Sequence, residues 1–554
     1  MATESKRDRS RSRMISSVFA TISPTHIGMT QGRYSSVLFA TAMLSFGGPL
    51  LHAQQAPATP AEAAWWHHIQ VIADDSMHGR RTGTADYVKA AHYVADQFAS
   101  LGLEPGGTDG FFQTVHLAEA RIVPEGSSIV LQAASGSDTL PLNVQLKPST
   151  VQAASGPMVF VGYGLNLPGA HDDLAGIDLH GKVAVYLNRM PQGLGATMFA
   201  HGRASRWREL QRLGAVAAIA IADAPQPGRA RPTRPAGRPV TGLAEDPAEH
   251  GILVNVAADH AEQLFAGSGH TYAEMIALAD SNKSLPTISL EPTFHATLQI
   301  ERTPLDAPNV AGILRGSDPK LRDQYLVVSA HLDHLGIGRL VDGDSIYNGA
   351  IDNASGIATL IETAREFHDR KIRGRRSVIF LAVTGEEEGE LGSAYFALHP
   401  TVPQGQVVAD LNTDMYFPII PFTGLFSYGW DESDLGKDIM PVLKAHGIAN
   451  LEDPEPEQVR FIRSDQYSFI QRGIPSLAFK VGYTRGSPEM KVVTDWVANR
   501  YHKPSDDLAQ PVNFMTAVSF DSLYFDIVRA VADRGTRPAW YKQSVFASIP
   551  RAGQ

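Results

Sequence analysis

Three short stretches limit what this chain can fold into: residues 325–330 (YLVVSA), 377–383 (SVIFLAV) and 476–481 (SLAFKV). Each is nearly all apolar and too short for a buried helix. A strand that is apolar on both faces must be covered on both faces, as parallel strands of α/β proteins are. Between the first two, Ile357, Leu360, Ile361, Ala364 and Phe367 recur at helical spacing. Strand–helix–strand alternation predicts an α/β fold, a mixed central sheet with helices on both faces. Ligands of such sheets bind beyond the C-terminal ends of the strands.

The residues just past those ends are therefore informative. His331-Leu332-Asp333 succeeds the first run, and Thr384-Gly385-Glu386-Glu387-Glu388-Gly389 succeeds the second. Residues 349–356 (GAIDNASG) open the intervening helix and contain Asp352; Asp414 comes after the run VVADLN, and Tyr501 and His502 lie in YHKPSD near the C-terminus. A lone His-x-Asp or a glutamate triplet usually decorates a surface. Several carboxylates gathered at buried strand ends are different, because they repel one another unless a cation joins them. Nitrogen and oxygen donors of this kind suit zinc. The chain has no cysteine, which excludes disulfides, a thiol nucleophile and sulfur-ligated zinc.

The rest of the chain frames this site. At 554 residues the chain has room for more than one domain, and 43% hydrophobic with 19% charged residues describes a globular protein. A formal net charge of -10 argues against a nucleic-acid partner. Residues 37–51 are uncharged and mostly apolar, preceded by Arg33 and followed by HAQQ. That is the pattern of a secretory signal peptide over 1–53, with a true start at Met29, and it predicts a periplasmic or secreted protein with no stable membrane insertion after cleavage. Tyr87, Ala91, Val94, Phe98 and Leu101 mark an amphipathic helix that Gly102 stops. Short strand-like runs at 158–161, 182–187 and 215–221, with a helix from Trp207 to Leu213, read as a separate small α/β domain over 147–290. Its loop between Pro225 and Pro239 carries Arg229, Arg231, Arg234 and Arg238 and reads as solvated.

Taken in order, AHLDHLG, NGAIDNASG, TGEEEGELGS, LNTDMY, SDQYSF with RGIPS, and YHKPSDDL resemble the co-catalytic zinc exopeptidases. That family includes aminopeptidase S, bacterial leucyl aminopeptidases and glutamate carboxypeptidase. The resemblance implies two zinc ions per chain. Asp352 would bridge them, His331 and Asp414 would complete one site, and Glu387 and His502 the other. Glu386 would be the general base, Asp333 would orient the His331 ring, and Tyr501 would donate to a developing oxyanion. A cis Asp352–Asn353 peptide is implied as well. Residues 54–146 and 291–540 would form the peptidase domain, 147–290 an inserted protease-associated domain, and 541–554 a tail. The substrates implied are peptides, cut as an aminopeptidase. A carboxypeptidase or dipeptidase is the rival reading, with Arg460, Arg463 and Arg485 as candidate carboxylate binders; a non-enzymatic peptide-binding ectodomain is another. Gln466 stands where many relatives carry His, which puts in doubt a substrate role at that position.

Overall fold

The computed structural model describes residues 56–223, 238–246, 250–551 and 553. The apolar run 37–51, Met29, Arg229, Arg231 and Arg234 lie outside them. Among the described residues no helix is long and apolar enough to cross a membrane.

The principal elements in chain order are helices α1 (Pro60–Ile72) and α2 (Ala85–Ser100), then strands β1 (Phe112–Ala133), β2 (Ala153–Val161) and β3 (Val183–Asn188). Helix α3 (Ala196–Arg212) is next, then β4 (Ala217–Ala222), β5 (Ile252–Val256), β6 (Thr287–Leu314) and β7 (Tyr325–His331). Helix α4 (Ser355–Asp369), strands β8 (Ser377–Val383), β9 (Val407–Thr413), β10 (Gly424–Tyr428) and β11 (Ser476–Val481), and helices α5 (Pro488–Asn499) and α6 (Phe514–Asp533) complete the set.

The fold is a mixed α/β structure built on one sheet in the order β5-β4-β3-β2-β6-β8-β7-β9-β11-β10. Strands β8, β7, β9 and β11 run parallel, while β6 and β10 flank them antiparallel. Every residue of β7, β8 and β9 is buried, as their apolar runs require. Successive side chains alternate between two cores. Leu326, Val328 and Ala330 face the core formed with Ile69 of α1, Phe98 of α2, Leu360 of α4 and Phe520 of α6. Tyr325 and Val327 face the opposite core, with Phe396 and Phe469. Each such leucine, valine or phenylalanine contributes about 1.5–3 kcal/mol when fully buried.

Residues 147–290 form the other arm of the same sheet. Strands β2, β3, β4 and β5 are mutually parallel and carry their own cores on their two faces. The long strands β1 and β6 join the arms, pairing from Phe112↔Val310 to Gln132↔Thr293. The expected helix at Trp207 begins earlier, at Ala196. Its first half shows little periodicity because Gly202 stands where a methyl group would press on Leu165 and Leu167 at 3.1 Å. Helix α2 ends as expected, with Gly102 in the left-handed region at φ +70°. The last residues also pack: Phe546 is fully buried and Arg551 donates to Val408 O at 2.7 Å.

Candidate metal centre

Parallel pairing brings strand ends to one edge. His331 lies opposite Val383, and Ser329 opposite Asn412, so Asp414 falls level with His331 and the glutamates emerge just beyond. Between them comes the segment 349–354. Gly349 has φ +62°, the turn before α4 is kinked at Asp352 and Asn353, whose backbones are not helical, and the Asp352–Asn353 peptide is cis. Asn353 ties this turn to the end of β9, donating to Thr413 O at 2.9 Å and accepting from Met415 N at 3.3 Å. Asp506 holds it from the other side, accepting from Ile351 N at 2.9 Å and Asp352 N at 3.0 Å.

Arg80 links the loops. Its guanidinium is 0% exposed; Nε donates to Leu332 O at 2.6 Å, Nη2 to Gly349 O at 2.7 Å, and Nη1 to Asn348 O. A planar fork of donors can hold three carbonyls in this way, and a lysine cannot. Arg80, Met415 and His502 all have positive φ (38°, 44° and 55°). Each costs about 1–2 kcal/mol in backbone strain, of the kind that gathers at functional sites.

Asp352 sits between two sets of donors. On one side His331 Nε2 lies 3.3 Å from Asp352 Oδ1 and 3.5 Å from Asp414 Oδ1. On the other, His502 Nε2 lies 3.3 Å from Asp352 Oδ2 and 3.0 Å from Glu387 Oε2. His334 Nδ1 approaches the same pair, 2.7 Å from Glu387 Oε1 and 3.9 Å from Asp352 Oδ2. His331, Asp352 and Asp414, and likewise His334, Asp352 and Glu387, offer ligand atoms within 4.8 Å of one another. His331 Nε2, Asp414 Oδ1, Asp352 Oδ2, Glu387 Oε1 and His334 Nδ1 are buried without a hydrogen-bond partner. Burying so many polar atoms unpaired would cost about 1–3 kcal/mol each. A divalent cation in either set would satisfy its atoms, and the mixed imidazole and carboxylate donors fit zinc.

The electrostatics agree. Burial disfavours charge on His331, yet Glu386, Asp352 and Asp414 together hold its imidazole well above the ordinary range. His502 is likewise lifted to about 10 by Asp352 and Glu387, against its burial. Burial raises Asp333 to about 6, with Glu387 adding to it. Burial also raises Asp506 to about 7, against the pull of His334 and with repulsion from Asp352. These are the marks of a site with surplus negative charge, which a cation relieves.

Glu386 stands beside the donors and makes none of their close contacts among the described residues. Burial, then Asp414, Asp465 and Glu387, push its carboxyl well above the usual range, opposed by His331. Asp333 meets the His331 ring through its backbone rather than its carboxylate. Its carboxylate accepts from Glu386 N at 3.1 Å and Glu387 N at 3.4 Å, while its backbone oxygen, at 3.2 Å, accepts from His331 Nδ1. The reason is the tight turn after β8, whose two free amides lie over that carboxylate and claim it. The His331 tautomer is still set, because a carbonyl can only accept, leaving Nε2 as the lone-pair atom. Tyr501 stacks on His502 with centroids 3.8 Å apart, and burial with the nearby carboxylates keeps its hydroxyl protonated. Gln466 is fully buried, accepting from Asn412 at 2.7 Å and donating to Phe461 O at 2.9 Å, so its amide is already committed. Arg460 is paired with Asp453 and Glu455 at 3.1 and 2.8 Å.

Sequence reasoning did not pick out Arg80, His334 and Asp506. His334 lies inside the AHLDHLG motif, and Arg80 inside Gly79-Arg80-Arg81-Thr82-Gly83-Thr84, which by itself reads as an ordinary turn before a helix. In the structure Gly79 lets this segment press against the site, since a Cβ there would sit 2.3 Å from Tyr347 O, but no sequence pattern marks Arg80.

Comparison with known proteins finds partial matches. Residues 309–523 match Peptidase family M28. A probable zinc metalloprotease of Pyricularia oryzae is 36% identical over 113 residues, 20% of this chain and 21% of that protein. Carboxypeptidase Q of Rattus norvegicus is 26% identical over 179 residues, 32% of this chain and 33% of that protein. The matches thus span about a fifth to a third of these curated relatives. Among solved structures, the aminopeptidase from Aneurinibacillus sp. strain AM-1 is 18% identical with a TM-score of 0.45, covering 88% of this chain and 97% of that one. All six converging donors, His331, His334, Asp352, Glu387, Asp414 and His502, fall within the span that matches Peptidase family M28.

Proposed function

We propose that this protein is a zinc-dependent exopeptidase that releases N-terminal residues from peptides, holding two metal ions on either side of Asp352. The observation that carries this is the pair of unsatisfied donor sets sharing that one carboxylate, with Glu386 interacting electrostatically with His331, Asp414 and Glu387 among them. Two zinc ions so placed would lower the pKa of a shared water towards ~7 and polarise a scissile carbonyl.

The remaining work belongs to the chain. Glu386, fixed by the clasp of its amide on Asp333, accepts the proton of the attacking water and delivers it to the departing amine. The protonated Tyr501 hydroxyl donates to the oxygen that gains charge on the carbonyl. Asp465 is fully buried with neither carboxylate oxygen hydrogen-bonded, and burial with Asp333 and Asp414 raises it to about 7 against the pull of His331. Glu390 is raised by burial and by Asp465 and Asp414. The unpaired oxygens of Asp465, a residue electrostatically linked to His331 and Asp414, support recognition of a peptide's free ammonium end. The ion pairs of Arg460 leave it poorly suited to a carboxylate terminus. The run 37–51 behind Arg33 supports a periplasmic or secreted location; N-terminal sequencing of the exported protein, with an intact run refuting cleavage, tests it.

The test is Glu386→Gln with aminoacyl chromogenic substrates. Turnover should fall by about 10²–10⁴ with zinc content unchanged. Loss of zinc instead would make Glu386 a ligand and refute the assignment. Cleavage of N-acetylated peptides at their C-terminus, with free N-termini ignored, would establish the carboxypeptidase reading in its place.

A further inference from the structure

We infer that His334 is a ligand of the second metal ion, so that this site has four protein donors while the first has three. The inference rests on the two-metal reading and goes beyond it in naming a donor.

His334 is 1% exposed, and neither ring nitrogen has a hydrogen-bond partner. A histidine serving only as core would not leave both nitrogens bare, since an unpaired buried polar group is costly. Its Nδ1 lies 2.7 Å from Glu387 Oε1, yet the two are not aligned as a hydrogen bond, and both atoms count as unpaired. Atoms that crowd without bonding to each other converge on a third body. That body would also meet Asp352 Oδ2, itself unpaired and 3.9 Å from the ring nitrogen.

The ring cannot swing away. Gly349 lies against it, where a Cβ would come within 2.5 Å of His334 Cγ. Gly349 O is held in turn by Arg80. His502 reaches the same carboxylates from the open side, its side chain 37% exposed. The two rings meet edge to face with centroids 5.9 Å apart. One imidazole thus approaches from the protein interior and the other from the cleft.

The two sites then differ in kind. The second would have two nitrogens and two carboxylates, and the first, with His331, Asp352 and Asp414, one nitrogen and two carboxylates. The nitrogen-rich site favours zinc, and the carboxylate-rich site tolerates manganese or cobalt. The second site should fill first and release its ion last.

The test begins with wild-type protein stripped of metal and given one equivalent of zinc. X-ray absorption at the zinc edge should show two imidazoles on that ion; one imidazole overturns the inference. Zinc titration against a chromogenic chelator should then resolve two affinities. His334→Gln should weaken the tighter by about 10–100-fold and leave the weaker within about threefold. His502→Ala should weaken the same tighter site. Should His334→Gln bind both ions as wild type does while His502→Ala loses one, His334 is no ligand. The absorption measurement needs no variant, so a misfolded mutant does not leave the matter open. Wild-type protein that takes up no zinc would instead overturn the two-metal reading, and this inference with it.

Discussion

Arg80 shows how much of the site depends on a residue that binds no substrate. It is a buried cation whose pKa burial lowers to about 10, partly offset by Asp506, Asp333, Asp352 and Glu387. Among the described residues its carbonyl partners at Leu332 and Asn348 take no other donor, while Gly349 O also accepts from Ala354 N at 3.3 Å, so Arg80→Ala would strand two buried acceptors. We predict that Arg80→Lys lowers stability by about 2–4 kcal/mol in chemical denaturation, because a point charge cannot replace a planar fork. Zinc affinity should fall with it; an unchanged denaturation profile would show that water serves those carbonyls equally well. Gly349→Ala should be harsher. The position has φ +62°, and the added methyl would lie 2.1 Å from Asp352 O. The expected result is folded protein with less than one zinc per chain by elemental analysis.

At the scale of elements, helix α3 is pinned to the region of the metal donors by His201, whose Nδ1 lies 2.9 Å from the Tyr467 hydroxyl. Burial, aided slightly by Arg208, lowers the His201 pKa from 6.5 to about 4. An imidazole held neutral in the folded protein costs stability when it must take up a proton. The contribution is therefore whole above about pH 6.5, declines as pH falls, and the loss amounts to about 3 kcal/mol by pH 4. Thermal midpoints of wild type and His201→Gln, compared at pH 7.5 and 4.5, should show a smaller acid-induced drop in the variant; parallel drops would remove His201 as the cause.

The same scale explains which elements could be read in advance. Strands β7, β8 and β11 were legible because burial on both faces makes their sequences continuously apolar. Helix α4 was legible from its stripe. Strands β1 and β6 were not. They span 22 and 28 residues, and much of each is buried on one face only, so polar and apolar residues alternate without an apolar run. The site divides similarly. His331, Asp352, Glu387, Asp414 and His502 sit at strand ends or in ordered motifs that can be named from sequence, and the structure brings them together. Arg80 meets Leu332 across 252 positions of chain, a contact no local pattern announces.

For the whole molecule, the metal centre joins segments spread from β7 to the loop after α5, so metal binding and folding should be coupled. Ions that bind only the folded state stabilise it by about 4 kcal/mol at a thousandfold excess over Kd. Chelation should lower the melting temperature of the wild type, and adding zinc should restore it, while Glu386→Gln should respond just as the wild type does. The most direct test is anomalous diffraction at the zinc edge from crystals of the loaded protein. Two peaks roughly 3.5–4 Å apart, one on each side of Asp352, are predicted, the first beside His331 and Asp414 and the second beside Glu387 and His502. A single peak, or none within reach of Asp352, would contradict the account.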